Sequence, residues 1–149
     1  MTPFLLDVNV LIALGWKGHP SHSRAQTWFA RNNRAGWATC PFTQAAFVRI
    51  VSNPAFSAQA ASPLEALSLL ITNVGHPTHQ FWPDDISLRD AIRHFEDRLV
   101  GHQQITDAYL LGLAIHKKGR LATLDRSLIE LFDGGDSRAN AVELISEKP

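Results

Sequence analysis

The sequence predicts an α/β fold with a central, mostly parallel sheet of four to five short strands and helices on both faces, in three α/β/α layers. Short apolar runs such as Phe4-Leu5-Leu6 lack polar alternation, the pattern of strands buried on both faces. Segments with helical spacing stand between these runs, so strand and helix alternate along the chain.

The first strand is cut off by Asp7, and Val8 to Leu14 turns helical at once. Ser21 is placed to cap a helix with Ala25, Trp28 and Phe29 on one face, stopping near Asn32-Asn33. Gly36 to Cys40 reads as the second strand. Pro41 suits the first turn of the next helix, whose inner face is expected at Ala45, Phe47, Val48 and Val51 before Asn53-Pro54. Pro63 opens a helix with Leu67, Leu70 and Ile71 on one face, ending near Gly75. His79 to Trp82 is the third strand, and a modest helix runs from Leu88 to Phe95. The clearest helix starts at Thr106 or Asp107 and ends at Lys118, with Leu110, Leu113 and Ala114 inward and Gly119 as its C-cap. Arg120 to Thr123 is the fourth strand, Arg126 to Phe132 a helix, Gly134-Gly135 a break, and Ala141 to Ile145 an edge strand.

A chain of 149 residues is the size of one domain, 1–149, and buries roughly 70% of its unfolded surface. Lys+Arg and Asp+Glu balance at 14 each, so nucleic-acid binding has to rest on a local site rather than on bulk charge. The single Cys40 excludes an intramolecular disulfide and a cysteine-rich zinc knuckle. The N-terminus lacks a basic signal-peptide region, and no apolar run approaches the ~20 residues of a membrane span. These features point to a soluble, cytoplasmic protein.

Three carboxylates occupy similar local positions. Asp7 follows the first strand, Asp107 opens the strongest helix, and Asp125 lies just past the fourth strand. In an open α/β sheet the C-terminal strand ends face one crevice, where acids far apart in the chain converge. Such a cluster raises its own pKa values unless a cation neutralises it, and hard oxygen ligands select Mg²⁺ or Mn²⁺. Asp107 and Asp125 each also read as ordinary capping residues; Asp7-Val8-Asn9, polar between apolar runs, has no packing use.

Five segments extend this pattern: Leu6-Asp7-Val8-Asn9-Val10-Leu11-Ile12, Trp37 to Gln44, Phe47-Val48-Arg49-Ile50 with Ser52-Asn53-Pro54, Ile105-Thr106-Asp107-Ala108-Tyr109-Leu110-Leu111, and Leu121-Ala122-Thr123-Leu124-Asp125. The ordered set, from Phe4 to about Leu131, resembles the PIN-domain ribonucleases and specifically the VapC toxins of bacterial toxin–antitoxin pairs. The resemblance implies a PIN-like sheet and a Mg²⁺- or Mn²⁺-dependent endoribonuclease, usually a homodimer. It also implies a VapB-type antitoxin that blocks the site and, with the toxin, binds operator DNA. The family's acids fall on Asp7, Asp107 and Asp125, which hold the metal; its usual Glu falls on Gln44, whose amide brings no charge. Three formal charges then stand where four are usual, which favours one metal or a weakly held second. Asp84 or Asp85 stands as a compensating acid or as part of a solvated turn.

Asn9, Thr43, Gln44 and Thr106, with Thr123 a weaker choice, orient water or phosphate oxygens or serve as caps or turn residues, and Gln44 counts with the three aspartates among the catalytic candidates. Arg49 and Arg126 are the candidate RNA-phosphate contacts on this reading, with Arg49 equally suited to pairing with a carboxylate and Arg126 better suited to a plain surface position. His19-x-x-His22 and His76-x-x-His79 lack the cysteine or helical partners of a zinc site. His102 precedes the Asp107 helix, in a surface loop or facing the crevice. A catalytically weakened PIN module that binds or regulates is the alternative, with Gln44 as its mark. A phosphatase is disfavoured because Asn9 stands where its second acid belongs.

Overall fold

In the computed structural model, which describes residues 1–132 and 137–145, the segments expected as strands form five strands among the described residues. They are β1 (Phe4–Leu6), β2 (Trp37–Thr39), β3 (His79–Phe81), β4 (Arg120–Thr123) and β5 (Val142–Leu144). All pairings are parallel, in the order β3-β2-β1-β4-β5. β1 lies at the centre, with Leu5 in register with Ala38 on one side and Leu121 on the other. The chain steps outward from β1 through β2 and β3, then returns to the opposite side for β4 and β5. β1 and β4 therefore flank the point where strand order reverses, the place where open α/β sheets bind ligands.

Six helices cover the sheet: α1 (Val8–Gly15), α2 (His22–Asn32), α3 (Pro41–Val51), α4 (Pro63–Val74), α5 (Leu88–Ile92) and α6 (Gln104–His116). Strand side chains alternate between faces, so neighbours in one strand enter different cores. Leu5, Ala38 and Leu121 pack with Leu110, Leu113 and Phe95 from the α5–α6 side. Phe4, Leu6, Trp37 and Ala122 pack with Val10, Leu11, Phe47 and Leu70 from α1, α3 and α4. Two cores on opposite faces of one sheet make the expected three layers. Among the described residues, no helix is long and apolar enough to cross a membrane.

Several boundaries and faces differ from the sequence expectation. Ala45 is exposed, and Ala46 takes the inner position on α3. On α4 only Ala66 and Leu70 are buried, while Leu67 and Ile71 are 41% and 59% exposed. α4 packs beside α3 at the margin of its layer, so only a narrow stripe of it is covered. Ser21 occupies the N-cap position of α2, but its hydroxyl accepts from Arg24 Nη2 (2.7 Å) rather than from the backbone. The helix expected over Leu88–Phe95 stops at Ile92 and tightens into a 3₁₀ segment, Arg93–Arg98. Arg126–Leu131 is likewise 3₁₀ rather than α-helical. Gly134-Gly135 lies outside the described residues.

α6 begins two or three residues earlier than expected, at Gln104, and it ends differently. Lys118, not Gly119, adopts the left-handed conformation (φ 58°). Lys118 N–H donates to Ile115 O (3.0 Å) and Gly119 N–H to Ala114 O (2.8 Å), the paired bonds of a Schellman motif. Gly119 is required for a different reason, since a Cβ there would meet the Trp82 ring and the Pro3 carbonyl. Gly112, inside α6, lets that helix approach α5 so closely that a Cβ would collide with the Ala91 carbonyl. Gly112→Ala is therefore expected to cost about 2–3 kcal/mol despite its better helix propensity, read as a lowered urea midpoint.

Candidate active site

Asp7 sits where β1 passes into α1. Its N–H donates to Ala122 O (2.9 Å), extending the β1–β4 pairing by one residue. Its Oδ1 accepts from Val8 N (2.8 Å) and caps α1. Its Oδ2 accepts from the Thr123 hydroxyl (2.8 Å), and the residue is only 5% exposed. Burial raises the Asp7 pKa above the usual carboxylate range, opposed by the Thr123 and Val8 hydrogen bonds and reinforced by the charge of Asp125.

Thr123, fully buried at the end of β4, ties this region together. While donating to Asp7, its Oγ1 accepts from Asp125 N (3.0 Å) and Asn9 Nδ2 (3.4 Å). Asn9 Oδ1 in turn accepts from Leu124 N (3.2 Å). One hydroxyl thus links the first acid to the backbone of the third. The exposed Asp125 caps the 3₁₀ segment, its Oδ1 accepting from Ser127 N (2.9 Å) and Ser127 Oγ (2.8 Å).

Asp107 arrives from the first turn of α6. Its pKa is pushed up to about 6, first by burial and then by the charges of Asp7 and Asp125. The three aspartates are thus within range of one another's charge at the C-terminal end of the sheet. Asp107 and Asp125 line a cavity of about 350 Å³ together with Ser127, Glu130, His102 and Gln104. The loop before α6 is fixed by Gln104 Oε1, which accepts from Val100 N (2.6 Å) and Gly101 N (3.3 Å).

The donor set is carboxylate oxygen, the chemistry of a hard divalent cation. A cation would also offset the charges of Asp7 and Asp125, which after burial raise the Asp107 pKa to about 6, so the donor types suit such an ion. Among the described residues, no three His, Cys, Asp or Glu side chains are placed closely enough together to hold a metal ion as they stand.

The other expected residues are placed as follows. Gln44 donates from Nε2 to Thr39 Oγ1 (3.0 Å), which shares a hydrogen bond with His79 Nε2 (2.7 Å), and it does not line the acidic cavity. The Thr43 hydroxyl is engaged with Cys40, accepting from its N–H (3.0 Å) and donating to its carbonyl (3.1 Å). Thr106 is exposed on the first turn of α6. Arg49 and Arg126 are exposed and outside the cavity, and Arg49 pairs with no carboxylate among the described residues.

Asp84 and Asp85 are bound to α6 rather than joined to the acids. Asp84 accepts from Tyr109 Oη (2.6 Å), while Asp85 pairs with Lys117 (2.7 Å) and faces His116 (3.6 Å). The Tyr109 pKa is raised, by burial and then by Asp84. The histidine pairs serve local structure: His19 Nδ1 accepts from Ser21 N, His22 Nδ1 meets Ala13 O, and His76 Nδ1 accepts from Thr78 N. Glu130 had no signal in the sequence, because nothing local shows that this part of the 3₁₀ segment meets α6. Side chains three apart eclipse in a 3₁₀ segment, which sets Glu130 on the face of Ser127.

The carboxylates lie at the strand-order reversal of a parallel sheet, where α/β folds bind their ligands, and residues 4–133 match the PIN domain. The chain is 41% identical over 131 residues to Ribonuclease VapC39 of Mycobacterium tuberculosis, covering 88% of this chain and 94% of that one. It is 42% identical to Ribonuclease VapC38 (85% and 88% covered) and 40% identical to Ribonuclease VapC44 (83% and 87%) of the same organism. The chain therefore belongs to the PIN-domain family and, within it, to the VapC proteins. A crystal structure of VapBC2 from Rickettsia felis bound to a DNA fragment from their promoter shares the fold, with TM-score 0.59 and 12% identity over 87% of this chain and 92% of that one.

Proposed function

We propose that this protein is the endoribonuclease toxin of a toxin–antitoxin pair, hydrolysing RNA phosphodiester bonds with Mg²⁺ or Mn²⁺ held by Asp7, Asp107 and Asp125. The single observation that carries this is the approach of the three aspartates: burial, and then the charges of Asp7 and Asp125, raise the Asp107 pKa to about 6. Identity above 40% to ribonucleases over most of the chain supports the substrate class.

Bound there, the cation supplies polarisation of the scissile phosphate and acidifies the attacking water. The chain's own residues prepare the site. Thr123 orients the Asp7 carboxylate and fixes the Asp125 backbone, and Asn9 anchors the Leu124 turn between them. Ser127 holds one oxygen of Asp125, leaving the carboxylate a fixed orientation. Asp107, whose pKa is raised by burial and by its acidic neighbours, would give up its proton to hold the cation. Thr106 stands beside it to contact water or phosphate, and Arg49 and Arg126 offer charge to the RNA outside the cavity. The protein acts in the cytoplasm as a single-domain homodimer, restrained by a VapB-type antitoxin through which it reaches operator DNA.

The test is incubation of purified protein with total RNA in Mg²⁺, in Mn²⁺ and in EDTA, with mapping of the new ends. Cleavage at discrete sites that requires either cation is expected; RNA left intact in both cations would sink the reading. Gln44→Glu should add the missing fourth charge and tighten Mn²⁺ binding several-fold in calorimetry. No gain would mean that this side chain, hydrogen-bonded to Thr39, stays outside the metal's reach.

A further inference from the structure

The cavity that contains Asp107 and Asp125 poses an electrostatic problem for a polyanionic substrate. Its ionisable lining consists of Asp107, Asp125, Glu130 and His102, three acids and a single group able to carry positive charge. The arginines at 49 and 126 lie outside it. A phosphate entering this space needs donors on the protein as well as a cation, because the carboxylates repel it.

His102 is the side chain equipped for that task. It belongs to the loop that Gln104 Oε1 pins through Val100 N and Gly101 N. Its own carbonyl accepts from Ile105 N (3.3 Å), and Gln104 N donates to Gly101 O (3.1 Å), so the backbone around it is held in a turn. Among the described residues its ring makes no hydrogen bond or ion pair. An imidazole offers at least one N–H in either protonation state, so donation to a phosphate oxygen does not depend on a charge change.

We infer that His102 is an RNA-contacting residue, donating a ring N–H to a phosphate oxygen of the substrate at the acidic cavity. This rests on the ribonuclease reading above. A contact of this kind is made in the ground state and kept in the transition state, so it acts on KM more than on kcat.

The experiment measures kcat and KM for a fluorogenic single-stranded RNA carrying a site mapped from total RNA, in Mn²⁺, with calorimetric Mn²⁺ titrations alongside. His102→Ala is expected to raise KM roughly tenfold, with kcat within about threefold and Mn²⁺ affinity unchanged. His102→Gln, which keeps an N–H donor, should recover most of the loss. An unchanged KM in His102→Ala overturns the inference while leaving the ribonuclease reading intact, and so does a His102→Gln variant as impaired as the alanine. Weakened Mn²⁺ binding in His102→Ala overturns it too, because the residue would then act on the cation. Failure of the unaltered protein to cleave in either cation removes the reading and this inference together.

Discussion

Asp107→Asn is expected to make the protein more stable and to abolish cleavage in the same stroke. The folded pKa of Asp107 is about 6 against an ordinary value of 3.8, so between these pH values the native state binds more protons than the unfolded chain. Stability from this group is complete below about 3.8, falls as pH rises to about 6, and stays lost above it. Because the side chain is only partly buried, solvent screening cuts the full linkage figure to about 1–2 kcal/mol. In EDTA at pH 7 the asparagine variant should therefore melt about 3–6 °C above the unaltered protein and lose the decline between pH 4 and 6. Mg²⁺ should reverse the ranking, stabilising only the protein that retains all three carboxylates. Cleavage should drop about a thousandfold, the loss of several kcal/mol of transition-state charge stabilisation. Calorimetry in EDTA and in Mg²⁺ reads both signs. Equal melting temperatures at pH 7 without metal would contradict the burial and charge crowding that raise the Asp107 pKa.

Thr123→Val carries the second large effect, and its sign is opposite. Valine matches threonine in shape, so the change removes one hydroxyl. That hydroxyl donates to Asp7 and accepts from Asp125 N and Asn9 Nδ2. Asp7 Oδ2 would be left without a donor at a residue 5% exposed. Stranding a buried carboxylate oxygen together with a backbone N–H costs about 2–4 kcal/mol, or about 5–15 °C in Tm. The Thr123 bond lowers the Asp7 pKa, so its loss moves that pKa further upward and shifts the acid limb of the cleavage profile to higher pH. Thr123→Ser keeps the hydroxyl and should keep the profile, losing only the packing of one methyl. A valine variant with an unaltered pH profile would show that Asp7 does not depend on this bond.

β1, β2 and β4 were readable as short, largely apolar runs that a carboxylate or turn interrupts, whereas β3, His79-Gln80-Phe81, is half-buried to exposed and carries no such run. Pro41, Pro63 and Asp7 marked helix starts through local chemistry that needs no tertiary context. Faces were less legible. Leu67 and Ile71 share a stripe with Leu70, yet only Leu70 is buried, since the width of a helix's covered face depends on what neighbours it. The tight 3₁₀ turn at Arg126–Leu131 has the same apolar spacing as an α-helix, so the pattern could not separate them. Gln44 could be placed at the start of its helix, but its partnership with Thr39 and, through it, His79 reaches a strand 40 residues from Thr39.

By itself the sequence determined the elements and the position of each aspartate at the end of one, because chain-local hydrophobic runs and caps decide where strands stop. Which ends meet was decided only in three dimensions. Thr123 lies 116 residues from Asp7, and they touch because β4 pairs with β1 across the reversal in strand order. Asp107 joins them because α6 packs on the face opposite α1, with its first turn at the same edge of the sheet. Strand order and helix side are set by how the two cores fill, a balance of burial over the whole chain that no local segment encodes.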